Sequence, residues 1–346
     1  MLSRDLREEK SMDKGANGFE KSIGGLRVAA VQLTASVGSN QANNQHAMPF
    51  IESAAQQGAG LVVLPETYSS GYLATAKVWN VAETSDGPTS RWIRETSRRL
   101  GIYLGTGFVE TDGEDFYNSY MLSDPDGKLV GICRKNYAES YAFKRGRGPY
   151  VFETAVGKIG VGICADNQFA FLPRLMHEES VDIMLMPHAA PLRKRKTRSD
   201  VSPSGYERIE AQYARMKRLP HLYAEMLGIP VVFATQFGAL ERLPGIIGKV
   251  MTPEEWCIPG ISRIVDSDGV TKAELGDGEG VALADVTLSQ SRKALARNRF
   301  DDRKQFNGFG AFARVVLFPI DGVFARRSYR RSKRDWRRRG AGVSRA

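Results

Sequence analysis

Histidine and cysteine are scarce in this chain, with four of one and three of the other among 346 residues. Cys133, Cys164 and Cys257 are odd in number, form no Cys-x-x-Cys pair and have no histidine pair at ligand spacing. That pattern excludes a disulfide framework and a structural zinc site. No metal and no organic cofactor is expected, and a reducing, cytosolic setting is the simplest expectation. No stretch approaches about 18 uncharged apolar residues, so no membrane span is expected. The first residues, MLSRDLREEKSMDKGANGFEK, lack the apolar segment of a secretory signal. Acidic residues run short at one end only. The chain carries a net charge of +10, yet from Arg326 onward ten Lys and Arg face a single acid, Asp335, so nine of those ten charges belong to the last 21 residues. The body is nearly neutral, and the basic balance is the property of an appendage.

Most of the remaining sequence alternates β–α–β units with hairpins. LRVAAVQL (26–33) reads as a first strand, 40–57 as an amphipathic helix, and LVVL (61–64) as a short strand buried on both faces. The Asp126-Gly127 turn joins strands at 118–123 and 128–135 into a hairpin. Further strands are expected at 102–110, 150–154, 158–164, 182–186, 229–235, 262–266 and 281–286, the last two joined by an Asp268-Gly269 turn. Helices are expected at 90–100, at 169–179 and at 206–227, the last interrupted at Pro220. One continuous pattern favours a single α/β domain over 25–320. Residues 1–24 read as a disordered leader, and 321–346 as a basic, disordered tail.

The organising stretch is KIGVGICADNQF, 158–169. Ile159, Val161 and Ile163 alternate with Gly160, Gly162 and Cys164, which is a strand ending where a helix can open. The glycine-lined face leaves room for a neighbouring layer or for the floor of a pocket. A helix start favours a thiolate and an oxyanion. Two other reactive residues also close strands: Glu66 after LVVLP, and Lys135 after LVGICR. Open α/β sheets place their chemistry at such ends. Each residue has a bland alternative as a cap, a solvated strand end or a buried thiol, but three catalytic types at three strand ends form a coherent set. Glu66 can take a thiol proton, Lys135 can stabilise the thiolate and then an oxyanion, and the N–H of Ala165 can supply a second oxyanion donor. Cys133 shares a strand face with Lys135 and is a rival nucleophile. Only His188, at a strand end, could support a Cys-His alternative. Tyr68, Tyr72, Asn118, His188 and the basic loop 193–205 are candidates for pocket polarity.

These segments resemble the nitrilase superfamily of carbon–nitrogen hydrolases. The resembling stretches are RVAAVQL (27–33), GAGLVVLPETYSSGY (58–72), FYNSYMLSDPDGKLVGICRKN (116–136), GKIGVGICAD (157–166) and PGISRIVDSDG (259–269), in the family's order over roughly 26–317. The resemblance implies a four-layer αββα sandwich, protomers paired through helices near the nucleophile, and Glu66, Lys135 and Cys164 as the catalytic triad. It also implies a second glutamate after the lysine. Glu139 is the match, but only four residues on, so its role requires 136–140 to curl. Asp166 after Ala165 tilts the implied substrate toward amides and carbamoyl compounds and away from nitriles. A nitrilase proper, an acyl transferase, and a non-catalytic protein binding nucleic acid or an anionic membrane through RRSYRRSKRDWRRR (326–339) are the alternatives.

Overall fold

Strand parity divides the apolar residues of this protein between two cores. The structure is a computed structural model that describes residues 25–72, 76–243, 247–301 and 318–339; the expected leader lies outside the described residues. In β1 (Leu26–Gln32), Val28 and Ala30 face the second sheet while Ala29 and Val31 face helices, and all four are fully buried. The same split recurs in β2 (Leu61–Val63), β3 (Tyr103–Thr111), β4 (Phe116–Ser123) and β5 (Leu129–Arg134). Burial on both faces is what a sheet inside a layered sandwich demands.

The second sheet starts with β6 (Val151–Thr154), β7 (Gly157–Val161) and β8 (Ile183–His188). It continues with β9 (Val231–Thr235), β10 (Arg263–Val265) and β11 (Thr271–Glu274) in the order β11-β10-β9-β8-β7-β6. A last long strand, β12 (Gly280–Val286), crosses back to the first sheet and pairs antiparallel with β1, giving β12-β1-β2-β3-β4-β5. The Asp268-Gly269 turn therefore does not join the two late strands anticipated from the sequence. It leads into β11, a short half-exposed strand whose polar face gave no apolar signal.

Helices Asn40–Gln56 and Pro88–Leu100 cover the outer face of the first sheet through Ala47, Ile51, Ala54 and Ile93. Helices Phe171–Glu178 and Pro203–Leu227 cover the second. The architecture is the expected four-layer αββα sandwich. Pro220 does not interrupt its helix, which runs on to Leu227 and ends at Gly228 in the left-handed conformation. Three two- or three-residue strands, Leu192–Arg193, Gly238–Ala239 and Trp256–Ile258, form a small third sheet too short to announce itself in sequence.

Two expectations are corrected. The glycine face of β7 is not a pocket floor: a Cβ on Gly160 would lie 3.0 Å from Met184 Sδ, and one on Gly162 would lie 2.6 Å from Leu172 Cδ2. The missing side chains admit the neighbouring strand and helix instead. The C-terminal tail is not disordered along most of its length, because Phe318–Arg338 forms a helix. Tyr329 and Trp336, two turns apart, fall on one side of that helix and are buried against Trp79 and Phe116. The density of charge hid an apolar stripe two residues wide.

Candidate active site

Three strand ends meet where the two sheets face each other. In the first sheet β1, β2, β3 and β5 point one way, so Glu66 and Lys135 leave it at the same edge. Asn118, near the start of antiparallel β4, lies at that edge too. In the second sheet β7, β8 and β9 are parallel, which brings Cys164, His188 with Ala189, and Gln236 to one edge. A bridge between Leu33 and Gln236 ties the edges together.

Glu66 is fully buried, and every contact on it is a donor. Its Oε1 accepts from Lys135 Nζ at 2.6 Å and from Asn118 Nδ2 at 2.8 Å; its Oε2 accepts from the Ala189 N–H at 2.8 Å. Gln236 Nε2 holds the Glu66 carbonyl at 2.7 Å. The backbone here is tightly constrained. Thr67 sits at φ 46°, and Gly107 of β3 lies so close that a Cβ would collide with Thr67 N and stand 2.7 Å from the Glu66 carbonyl carbon. We expect Gly107→Ala to destabilise the fold by about 1–3 kcal/mol in a denaturant melt. Because the displaced atoms belong to Glu66, turnover at a temperature where the variant is folded should also fall, by about tenfold or more.

Lys135 is 1% exposed and bridges two carboxylates, with Glu139 Oε1 at 3.0 Å opposite Glu66. Burial alone would push its ammonium down, but attraction to Glu139, Glu66 and Cys164 overcomes this and holds it well above the ordinary lysine value. Tyr72 donates to the same Glu139 oxygen at 3.1 Å. Glu139 reaches Lys135 because the chain does curl, through bends at 136–137. The clamp on that bend is Asp166, whose carboxylate accepts the N–H groups of Asn136 at 3.0 Å and Tyr137 at 2.7 Å. Asp166 thus ties the nucleophile turn to the lysine strand. Its carboxylate is engaged with backbone, so the substrate tilt carried by its residue type has no direct contact behind it.

Cys164 is buried at φ 47°, a conformation that a non-glycine residue adopts only when its surroundings enforce it. It opens a 3-10 turn, Cys164–Gln168, with the α-helix starting only at Phe171. Ala165 follows in the first turn, where its N–H has no intrahelical partner. The thiol is pushed well above the ordinary cysteine value by burial and by Glu66, against the opposing pull of Lys135. The helix-start argument for a resting thiolate is therefore overturned: two carboxylates and one ammonium leave the site net negative, and the thiol keeps its proton. The Ala189 N–H that donates to Glu66 also reaches the sulfur. Cys133 lies elsewhere, in the intersheet core with its Sγ 3.9 Å from the Val161 carbonyl, and burial holds its thiol well up.

His188 is buried, and burial together with Lys135 holds it down to about 3, so it is neutral. Asn167 Nδ2, fixed by the Gly162 carbonyl at 2.7 Å, lies 3.0 Å from His188 Nε2. That nitrogen is therefore the acceptor, and the proton sits on Nδ1, which has no partner among the described residues. No hydrogen bond joins His188 to Cys164 among the described residues. Tyr68 turns away and donates to the Asn43 carbonyl in the outer core. The basic loop pairs Arg195 with Glu210 and Lys196 with Glu255 at the surface. Sequence reasoning missed Ala189, Gln236 and Asn167, which act through a backbone N–H and side-chain amides that carry no catalytic signature.

Asp166 gives a pH prediction. Burial, opposed by the two N–H groups, raises it from 3.8 to about 6. Between about pH 4 and pH 6 the folded protein holds a proton that the unfolded chain has released. The stability this group contributes is thus present below pH 4 and lost as pH rises through 6. Its clamp on 136–137, however, needs the carboxylate. Turnover should rise through an apparent pKa near 6 while this contribution to stability falls. Asp166→Asn should flatten both trends and lower the neutral-pH rate about 10- to 100-fold, read from paired rate and melting profiles.

Comparison with known proteins follows the same lines. A family model described as carbon–nitrogen hydrolase matches residues 27–295. Over 178 residues the chain is 34% identical to an omega-amidase NIT2 of Danio rerio, covering 47% of this chain and 63% of that protein. A citrullinase of Francisella tularensis is 33% identical over 177 residues, covering 47% and 61%. The chain thus spans less than two thirds of the length of either relative. Among solved structures, Saccharomyces cerevisiae Nit3, described as a nitrilase-superfamily member, superposes with a TM-score of 0.64 at 24% identity, over 84% of this chain and all of that one.

Proposed function

The chain belongs to the carbon–nitrogen hydrolase family, and on that footing we propose that it hydrolyses a small linear amide or carbamoyl compound through a thioester on Cys164. Glu66 takes the thiol proton as sulfur attacks the carbonyl carbon, and Lys135 and the Ala165 N–H receive the oxyanion. Collapse breaks the carbon–nitrogen bond, with Glu66 returning the proton to the departing ammonia or amine. Glu66 then takes a proton from water, whose oxygen attacks the thioester and releases the acid and the free thiol. Glu139 and Tyr72 hold Lys135 in place, and Asn118 fixes the Glu66 carboxylate.

One observation favours amides over nitriles. Among the described residues, two buried acceptors near Lys135, Asn118 Oδ1 and Glu139 Oε2, have no donor, and the His188 Nδ1 donor has no acceptor. A carboxamide or ureido group brings N–H donors and a carbonyl acceptor together; a nitrile brings no N–H at all. Buried polar atoms left unmatched are costly, so a site of this kind discriminates against a ligand that cannot match them. An ammonia-release screen across linear amides, carbamoyl compounds and nitriles tests this reading. Amides or carbamoyl compounds should turn over and the matching nitriles should not. Faster acid formation from a nitrile would reverse the assignment.

A further inference from the structure

The C-terminal helix Phe318–Arg338 carries a surface that the hydrolytic site does not use. Its orientation on the body is fixed. Tyr329 donates to Asp115 Oδ1 at 2.9 Å and accepts from the Phe116 N–H at 3.2 Å, and Trp336 Nε1 donates to Asn80 Oδ1 at 2.8 Å. Lys333 pairs with Asp115, and Arg337 donates to the Glu114 carbonyl at 2.9 Å. Trp336 meets Phe116 edge-on at 5.1 Å between ring centroids, and Phe116 stacks on Trp79. These contacts leave one rotation of the helix about its axis.

At about 100° per residue, six arginines, Arg326, Arg327, Arg330, Arg331, Arg334 and Arg338, fall within an arc of about 140° on the side away from Tyr329 and Trp336, an arc shared with Arg337, which is held at the Glu114 carbonyl. All six are exposed, and none has an acidic partner among the described residues. Asp335, the one acid in this part of the helix, lies at the edge of the arc. Arg326 and Arg338 are about 18 Å apart along the axis, comparable to five base pairs of duplex at about 3.4 Å each. Guanidinium forks match phosphate oxygens two at a time, which suits arginine, used here to the exclusion of lysine.

We propose that this arginine ridge binds the phosphate backbone of double-stranded nucleic acid. Single strands are disfavoured because Tyr329 and Trp336 are 8% and 6% exposed and held in the body, which leaves Phe324 as the one exposed ring among the described residues of the helix, too few for a run of stacked bases. An anionic membrane is disfavoured for two reasons. The apolar stripe of Tyr329 and Trp336 is already covered by protein, and Phe324 alone is too little exposed apolar surface to seat the helix in a bilayer. The exposed Glu114 beside the helix would also be pressed against a flat anionic surface, whereas a narrow rod touches the ridge alone. The contact reads charge and shape and carries no base specificity.

The test uses the full chain and fluorescence anisotropy with a mixed-sequence DNA duplex of about 20 base pairs. Four to six phosphate contacts give a log–log salt slope of about −4 to −5, hence a loss of several hundred-fold in affinity between ~50 and ~200 mM salt. The triple variant R330Q/R331Q/R334Q should reduce the magnitude of the slope by about 2–3. Its amide turnover and circular dichroism should match those of the parent. Absence of duplex binding at ~50 mM salt, or an unchanged slope in the triple variant, would overturn the proposal. So would tighter binding to the matching single strand, or preferential binding to phosphatidylcholine vesicles containing about one third phosphatidylserine. Replacing the same three arginines with lysine keeps the charge and should restore most of the slope, which separates a phosphate contact from a folding defect.

Discussion

Cys164→Ala should abolish amide turnover, by at least ~10⁴-fold, and leave the fold intact. The side chain sits at a strained backbone position at the end of β7, within reach of the Ala189 N–H and of the charges on Glu66, Lys135 and Glu139. Nothing else in the described residues places a nucleophile among those groups. Cys133→Ala is the control. Its thiol is packed between the sheets against the Val161 carbonyl, so the variant should keep its turnover and lose about 1 kcal/mol of stability. If Cys133→Ala were inactive and Cys164→Ala active, the nucleophile would be misassigned. Because the resting Cys164 thiol is protonated, its alkylation by iodoacetamide at neutral pH should be slow in the absence of substrate. Its chemistry depends on a base beside it, and a low thiol pKa plays no part.

The strands and the three reactive residues at their ends were legible because each rests on a local signal, whereas the four-layer sandwich came only as an implication of the family resemblance. Alternation marks β1 and β7, a continuous apolar run marks β2, and a reactive residue stands at the end of three strands. What stayed hidden depends on chain segments meeting in space. Glu139 was read as the partner of Lys135 on condition that 136–140 curl; what stayed hidden is the cause of the curl, the carboxylate of Asp166, thirty residues on from Asn136, which bends 136–137 and turns Glu139 back. The Ala189 and Gln236 contacts on Glu66 come from the opposite sheet. The glycines of β7 could serve a ligand or a neighbouring layer equally well by pattern. Met184 and Leu172 decide for the layer. The C-terminal helix misled for a related reason: nine basic residues in fourteen look like a solvated run, and only the cleft beside Trp79 and Phe116 gives Tyr329 and Trp336 somewhere to go.

Glu66→Gln should separate the electrostatics of the site from its proton transfer. The substitution keeps shape and volume but removes the carboxylate that touches Lys135, Asn118 and Ala189 together. Turnover should fall about 10²- to 10⁴-fold, because neither the thiol proton nor the water proton has an acceptor. The thiol itself should move the other way. Glu66 is, after burial, the largest influence raising Cys164, and Lys135 opposes it. With Glu66 neutral, Lys135 and Glu139 balance, the thiolate is less disfavoured, and the pH midpoint of iodoacetamide alkylation should shift downward. An E66Q protein keeping more than about a tenth of the parental rate would remove Glu66 from the base role. Lys135 would then be left with two structural counter-ions and no proton acceptor beside the sulfur.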